Sequence, residues 1–257
     1  MQRIEGRVAV VTGAASGIGL AIADRMAAKG VRVFMTDLDP GALDAAVAPL
    51  VQRGDQVVAA PLDVRDAAAV EALAGRVVDR FGGLNIAVDN AGVVNRGLAW
   101  ELSSEDWDRV LQVNLWGVIN CVRSFVPRIL ATGEEGHVVN IASMAAVHPQ
   151  ERLGPYTVAK HGVLGLSDVL RADLLATGAP VGVSVVMPGS IRTGMNPVGR
   201  VDPDDVAVNV MDAIERDRAY VFTDHHSTGA VRRRLEAILA ARDDVISPGQ
   251  PDPEPHV

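Results

Sequence analysis

The chain carries a single cysteine, Cys121, only two lysines, Lys29 and Lys160, and only two tyrosines, Tyr156 and Tyr220, in 257 residues. One cysteine forms no internal disulfide, and the N-terminal stretch MQRIEGRVAVVTG lacks the apolar stretch and small-residue cleavage site of a signal peptide, so a reducing, cytoplasmic location is expected. No uninterrupted apolar run approaches the roughly 18 residues of a membrane span, so no membrane partner is expected. Positive charge is scarce as well: 24 Lys plus Arg stand against 32 Asp plus Glu, a formal net charge of −8, which argues against nucleic acid as a partner. His225 and His226 are adjacent, but no Cys, Asp and His cluster accompanies them at ligand spacing, so no metal site is expected.

What the chain does have is alternation. Short β-branched runs recur at 7–12, 31–36, 56–62, 84–89, 137–143 and 181–187, with a possible seventh at 218–223, and Ala-rich helical stretches fill most of the gaps between them. Runs this apolar suit strands buried on both faces, and alternation with helices implies right-handed βαβ crossovers. The expected fold is therefore α/β: a single doubly wound Rossmann-type domain, residues 1–246, with a parallel sheet of about seven strands and helices on both faces. A closing helix is expected over 228–244. The Pro-rich tail 247–257 is expected to be disordered.

The first strand runs into TGAASGIG, with Gly13, Gly17 and Gly19 ahead of the helical LAIADRMAAKG. Glycines here let the backbone turn tightly and approach a pyrophosphate seated on the helix N-terminus. The spacing is G-x-x-x-G-x-G, and on its own it reads equally well as a tight turn with no ligand. Asp37 ends the second strand, where a carboxylate can accept hydrogen bonds from an adenosine ribose; the plainer reading is a turn residue in DLDP. Tyr156 and Lys160 lie four apart in PYTVAK, so on a helix they share a face. A cation beside a tyrosine lowers a pKa that is otherwise too high for a base at neutral pH. The chain writes arginine almost everywhere else, which makes lysine at 160 informative. An ordinary surface pair at helical spacing is the alternative.

Taken together these motifs resemble the classical short-chain dehydrogenase/reductase family over about residues 5 to 195. TGAASGIG matches its glycine motif, DNAG (89–92) its Asn-Asn-Ala-Gly, Asn114 its helical asparagine, Ser143 and YTVAK its catalytic serine and Tyr-x-x-x-Lys, and PGSIRT (188–193) its nicotinamide-carboxamide segment. The resemblance implies Asn114, Ser143, Tyr156 and Lys160 as catalytic residues. In that scheme Ser143 holds the substrate oxygen, Tyr156 moves the proton, and Asn114 holds a water relaying protons from Lys160. It implies NAD binding by Gly13, Ser16, Gly17, Ile18, Gly19, Asp37, Asp63, Val64, Asn90, Ala91, Gly92, Tyr156, Lys160, Pro188, Gly189, Ile191 and Thr193, with Asp63 near adenine. Two departures stand out. Asp89 replaces the first asparagine of the family motif, a position that supports the sheet more than the chemistry. At the other end, AYVFTD and a basic helix replace the glycine-rich last strand of many relatives, so a homodimer or homotetramer is expected to form chiefly through helices around 103–131 and 155–178.

The expected function is hydride transfer between NAD(H) and a secondary alcohol or ketone. The stretch NLWGVINCVRSFVPRILATGEEGHVVNIAS resembles the branch of the family that oxidises bulky or aryl secondary alcohols. Expected pocket positions such as Val94, Met144, Ala145 and Met195 include no basic residue, so an uncharged, largely apolar substrate is expected. An NADPH-dependent 3-oxoacyl reductase is the enzymatic alternative, opposed by Asp37, which repels a 2′-phosphate. A catalytically idle nucleotide-sensing scaffold is the alternative of another class. His148 could line the pocket or be an ordinary loop histidine. RRRLE (232–236) reads as the solvated side of the last helix, and Trp100, Trp107 and Trp116 as buried interface packing.

Overall fold

The run Val8–Thr12 forms β1 and is buried at all of its positions, because alternate side chains of a strand go to opposite faces and helices cover both. Val8 and Val10 face one helical layer, while Ala9 and Val11 face the other. The computed structural model describes residues 1 and 3–243; the tail expected at 247–257, and the last residues of the domain expected over 1–246, lie outside them. The strands are β1, β2 (Arg32–Asp37), β3 (Val57–Pro61), β4 (Ile86–Asp89), β5 (Gly136–Ile141), β6 (Val181–Met187) and β7 (Tyr220–Phe222). They pair in parallel in the order β3-β2-β1-β4-β5-β6-β7. All seven expected strands are present, most of them trimmed by one or two residues at their ends.

One layer of helices consists of α1 (Gly17–Ala28), α2 (Pro40–Gln52) and α7 (Pro203–Arg216), which pack Ile22, Met26, Leu43, Val210 and Ile214 against the sheet. The other contains α3 (Ala67–Phe81), α5 (Gly117–Ala131) and α6 (Gly154–Ala176), which supply Leu73, Val77, Phe125, Ile129 and Leu174. A short α4 (Ser104–Leu111) begins at Ser103, whose hydroxyl accepts from Asp106 N at 3.1 Å. It passes into α5 through one π-type turn, Gln112–Trp116, that carries Asn114. Finally, α8 (Thr228–Asp243) follows β7.

The helix expected over 228–244 is present, but its basic stretch is not wholly solvated. Arg232 and Arg233 are exposed, whereas Arg234 turns inward, donating to the Val147 carbonyl at 3.4 Å and meeting His161 Nε2 at 3.2 Å. The tryptophans expected to be buried are not all so within the chain: Trp100 is 80% exposed and Trp116 48%. Among the described residues, no helix is long and apolar enough to cross a membrane.

Candidate active site

In a sheet of this order the direction of winding reverses at β1 and β4, and the crevice outside the carboxyl ends of those strands is where a ligand fits. A cleft of about 1000 Å³ opens there. Its floor is made by the first turn, and the second motif holds that turn in place. Thr12 Oγ1 accepts from the backbone N–H of Asn90 at 2.9 Å and of Ala91 at 3.1 Å, and Asn90 Nδ2 donates to the carbonyls of Thr12 and Gly13 at 2.9 and 3.0 Å. Gly13 adopts φ 63°, and a Cβ there would lie 2.9 Å from Ala91 Cα. Gly19 is different. A Cβ on it would collide with the Gly13 carbonyl and Asn90 Nδ2, so its lack of a side chain lets α1 pack on the turn.

Asp37 lines the cleft, with Oδ2 accepting from Ala15 N at 3.0 Å and Oδ1 from Asp39 N at 3.4 Å. It is thus a turn residue whose carboxylate also faces the space where a ribose would lie. Asp63 lines the same end but is engaged by Arg65, whose Nη2 reaches Oδ2 at 2.6 Å and holds the carboxyl below its usual pKa. The turn geometry, the Asp37 carboxylate and a cleft of this volume fit a dinucleotide. Ser16, Gly17, Ile18, Val64, Asn90, Ala91, Gly92, Pro188, Gly189, Ile191 and Thr193 all line it as expected.

At the other end lie Ser143, Tyr156 and Lys160. Ser143 opens a tight turn after β5 and accepts from Ala145 N at 3.1 Å. Lys160 is 3% exposed; it donates to the Ile141 carbonyl at 2.7 Å and sits 5.7 Å from the centre of the Tyr156 ring. Burial lowers its pKa to about 8. The Tyr156 hydroxyl is pushed up from its ordinary value by burial, opposed by hydrogen bonding with Ser143 and by the field of Arg96. The expectation that Lys160 supplies the lowering is therefore not met by this geometry. Desolvation dominates, and the opposing groups are Ser143 and an arginine that the spacing of motifs did not reveal.

Asn114 lies behind the cleft wall. It is fully buried, accepting from Val93 N and donating to Val93 O, both at 2.7 Å. Both ends of the amide thus hold the loop after β4. Asp89 is buried with no hydrogen-bond partner on either oxygen, and burial raises its pKa to about 8 beside the Cys121 thiol.

Val94, Met144, Ala145 and Met195 line the cleft as expected, but so do Arg96, Arg109 and Arg200. The premise of a cleft without basic residues therefore fails, because these three come from loops and a helix that no motif marks. Asp224 and His226, beyond β7, also reach it. His148 lies beside it in a smaller adjoining cavity. No group of three potential metal ligands occurs among the described residues.

The model of the short chain dehydrogenase family matches residues 7–202. A 1-deoxy-11-beta-hydroxypentalenate dehydrogenase of Streptomyces exfoliatus is 38% identical, over 98% of this chain and 94% of that protein. Among solved structures, a short chain dehydrogenase/reductase from Burkholderia phymatum in complex with NAD superposes with a TM-score of 0.92 at 33% identity, covering 98% of this chain and all of that one. LigD from Sphingobium sp. strain SYK-6 gives 0.86 at 29%, covering 96% and 100%. Similar in sequence and in fold along nearly its whole length, the chain belongs to the short chain dehydrogenase family.

Proposed function

We propose that the protein moves hydride between NAD(H) and a secondary alcohol or its ketone, with Tyr156 as the acid–base group. The observation that carries this reading is the meeting of Ser143, Tyr156 and Lys160 at one end of a cleft whose other end presents the Asp37 carboxylate. NAD supplies the hydride acceptor, and the chain's own residues do the rest. Ser143 holds the carbinol oxygen, Tyr156 takes its proton, and Lys160, one helical turn away, passes charge and protons onward. Asn114 acts through Val93, fixing the loop that walls the reacting end. Asp37 accepts from a ribose diol and repels a 2′-phosphate. The NAD complex of the Burkholderia relative and the dehydrogenase activity named for the Streptomyces relative support the reading. Val94, Met144, Leu153 and Met195 suit a largely apolar skeleton around the carbinol.

Screening NAD reduction over a panel of secondary alcohols, then comparing kcat/KM for NAD and NADP with the best one, tests it. A preference for NAD of at least about 10²-fold is expected from a like charge facing the phosphate. Equal values would sink the cofactor assignment, and no turnover with any alcohol or ketone would favour the idle scaffold.

A further inference from the structure

The two loops that close the reacting end, 93–99 and 147–153, are tied together at one point. Gly97 N donates to the Arg152 carbonyl at 3.0 Å, and Gly97 forms a β-bridge with Leu153. Beside the tie Arg152 adopts φ 61°, a left-handed conformation uncommon for a residue with a side chain. Gly97 is packed so tightly that a Cβ would lie 2.6 Å from Leu102 Cδ2. The neighbouring Asn95 is pinned too: its Nδ2 donates to Asp106 Oδ1 at 2.6 Å, and its Oδ1 accepts from Arg96 N at 2.9 Å. The backbone on either side of Arg96 is therefore held, and so is that of Arg152.

What this frame presents is positive. Arg96, His148, Gln150 and Arg152 line a small cavity, with Glu151 as its one carboxylate. Arg96 and Gln150 also line the main cleft, so the cavity adjoins the end that holds Tyr156. Arg96 and Arg152 are both exposed and neither has a carboxylate partner among the described residues. In a chain of net charge −8, an unpaired guanidinium that lines the main cleft, Arg96, with a second, Arg152, exposed on the same rim, offers a docking point for an anion from outside the protein. We infer that this rim is a subsite for a carboxylate on the substrate, remote from the carbinol, with Arg96 as its principal ligand and Arg152 as its second. The inference rests on the dehydrogenase reading above and narrows its substrate class to hydroxy acids with an apolar skeleton.

Calorimetric titration of the NADH-saturated protein with 3-hydroxycyclohexanecarboxylate and with its methyl ester separates the two claims. The acid is expected to bind at least about tenfold more tightly than the ester, the scale of one charge-assisted pair. Arg96→Gln should bring the two within about threefold, and Arg152→Asn, which keeps a residue tolerant of the left-handed backbone, should reduce the difference part of the way. The dissociation constant of NADH should be the same in the parent and in Arg152→Asn, since Arg152 lies outside the main cleft. Equal binding of acid and ester, no binding of the acid, or an undiminished difference in Arg96→Gln would overturn the subsite while leaving the dehydrogenase reading in place. Failure of the parent to bind NADH would overturn that reading and the subsite with it.

Discussion

Lys160 shows how much chemistry one side chain's surroundings decide. Its ammonium is buried, donates to the Ile141 carbonyl at 2.7 Å and lies under Tyr156. A guanidinium keeps the charge but is planar, bulkier and never deprotonated, so Lys160→Arg is expected to fold yet lose on the order of 10²-fold in kcat. Tyr156→Phe should lose at least as much, since it removes the proton-transfer group itself. Steady-state kinetics paired with thermal melts check both, and a folded Lys160→Arg with parental turnover would remove this lysine from the reaction. The spacing of Tyr156 and Lys160 was legible because i, i+4 places two side chains on one helical face whatever surrounds the helix. The pKa of the tyrosine was not legible. It depends on burial, on Ser143 and on Arg96, which is 60 positions away in the chain.

The π-type turn at Gln112–Trp116 does for the α4–α5 segment what no regular helix could, carrying Asn114 at its centre, where the side chain clamps Val93 from both sides. Such turns are frequent at functional sites because one extra residue per turn re-aims a side chain. Asn114→Ala leaves the buried backbone N–H and C=O of Val93 without these partners, at about 1–3 kcal/mol each. A lower melting temperature is expected, together with a fall in kcat/KM at substrate concentrations where NADH binding is unchanged. Parental stability and kinetics would show that the loop holds itself. The sequence marked Asn114 only through resemblance; its own pattern, VNLWG, contains nothing that distinguishes a π-type turn from an ordinary one.

Across the whole molecule, two buried groups give stability opposing pH dependences. Asp89 rises from an ordinary 3.8 to about 8 on burial. Folding therefore retains a proton that unfolding releases, and the contribution is present below about pH 4 and lost as pH rises towards 8. His137, fully buried with Nε2 at 2.8 Å from Ser184 Oγ, falls to about 3. Its contribution is present above its ordinary 6.5 and lost as pH falls towards 3. Between about pH 4 and 6.5 the two slopes cancel. From there towards pH 8 only that of Asp89 remains, about 1.4 kcal/mol per pH unit. Lys160, lowered to about 8, acts above that range, its burial cost easing as pH rises from there. Melting temperature should thus be flat and then decline above pH 6.5, and Asp89→Asn should abolish the decline; the same decline in the variant would refute the assignment. We also propose that the chain forms a homodimer or homotetramer through the helices around 103–131 and 155–178, where Trp116 of the π-type turn, Leu130 of α5 and Val158, Val169 and Leu175 of α6 stand exposed. Val169→Asp should then shift the sedimentation coefficient to that of a monomer, and an unchanged value would place the interface elsewhere.

The doubly wound sheet, the glycine turn, the Asp37 carboxylate and the Tyr156–Lys160 face were determined by the sequence alone, because each depends on local backbone geometry or on the period at which side chains repeat. The contents of the cleft were decided by tertiary structure. Arg96, Arg109, Arg200 and His226 reach it from four separated segments. Charge in a cavity is a property of every chain segment that meets there, and burial sets the pKa of Asp89, Tyr156 and Lys160 through the water each loses on folding. Neither quantity is written at any single position in the chain.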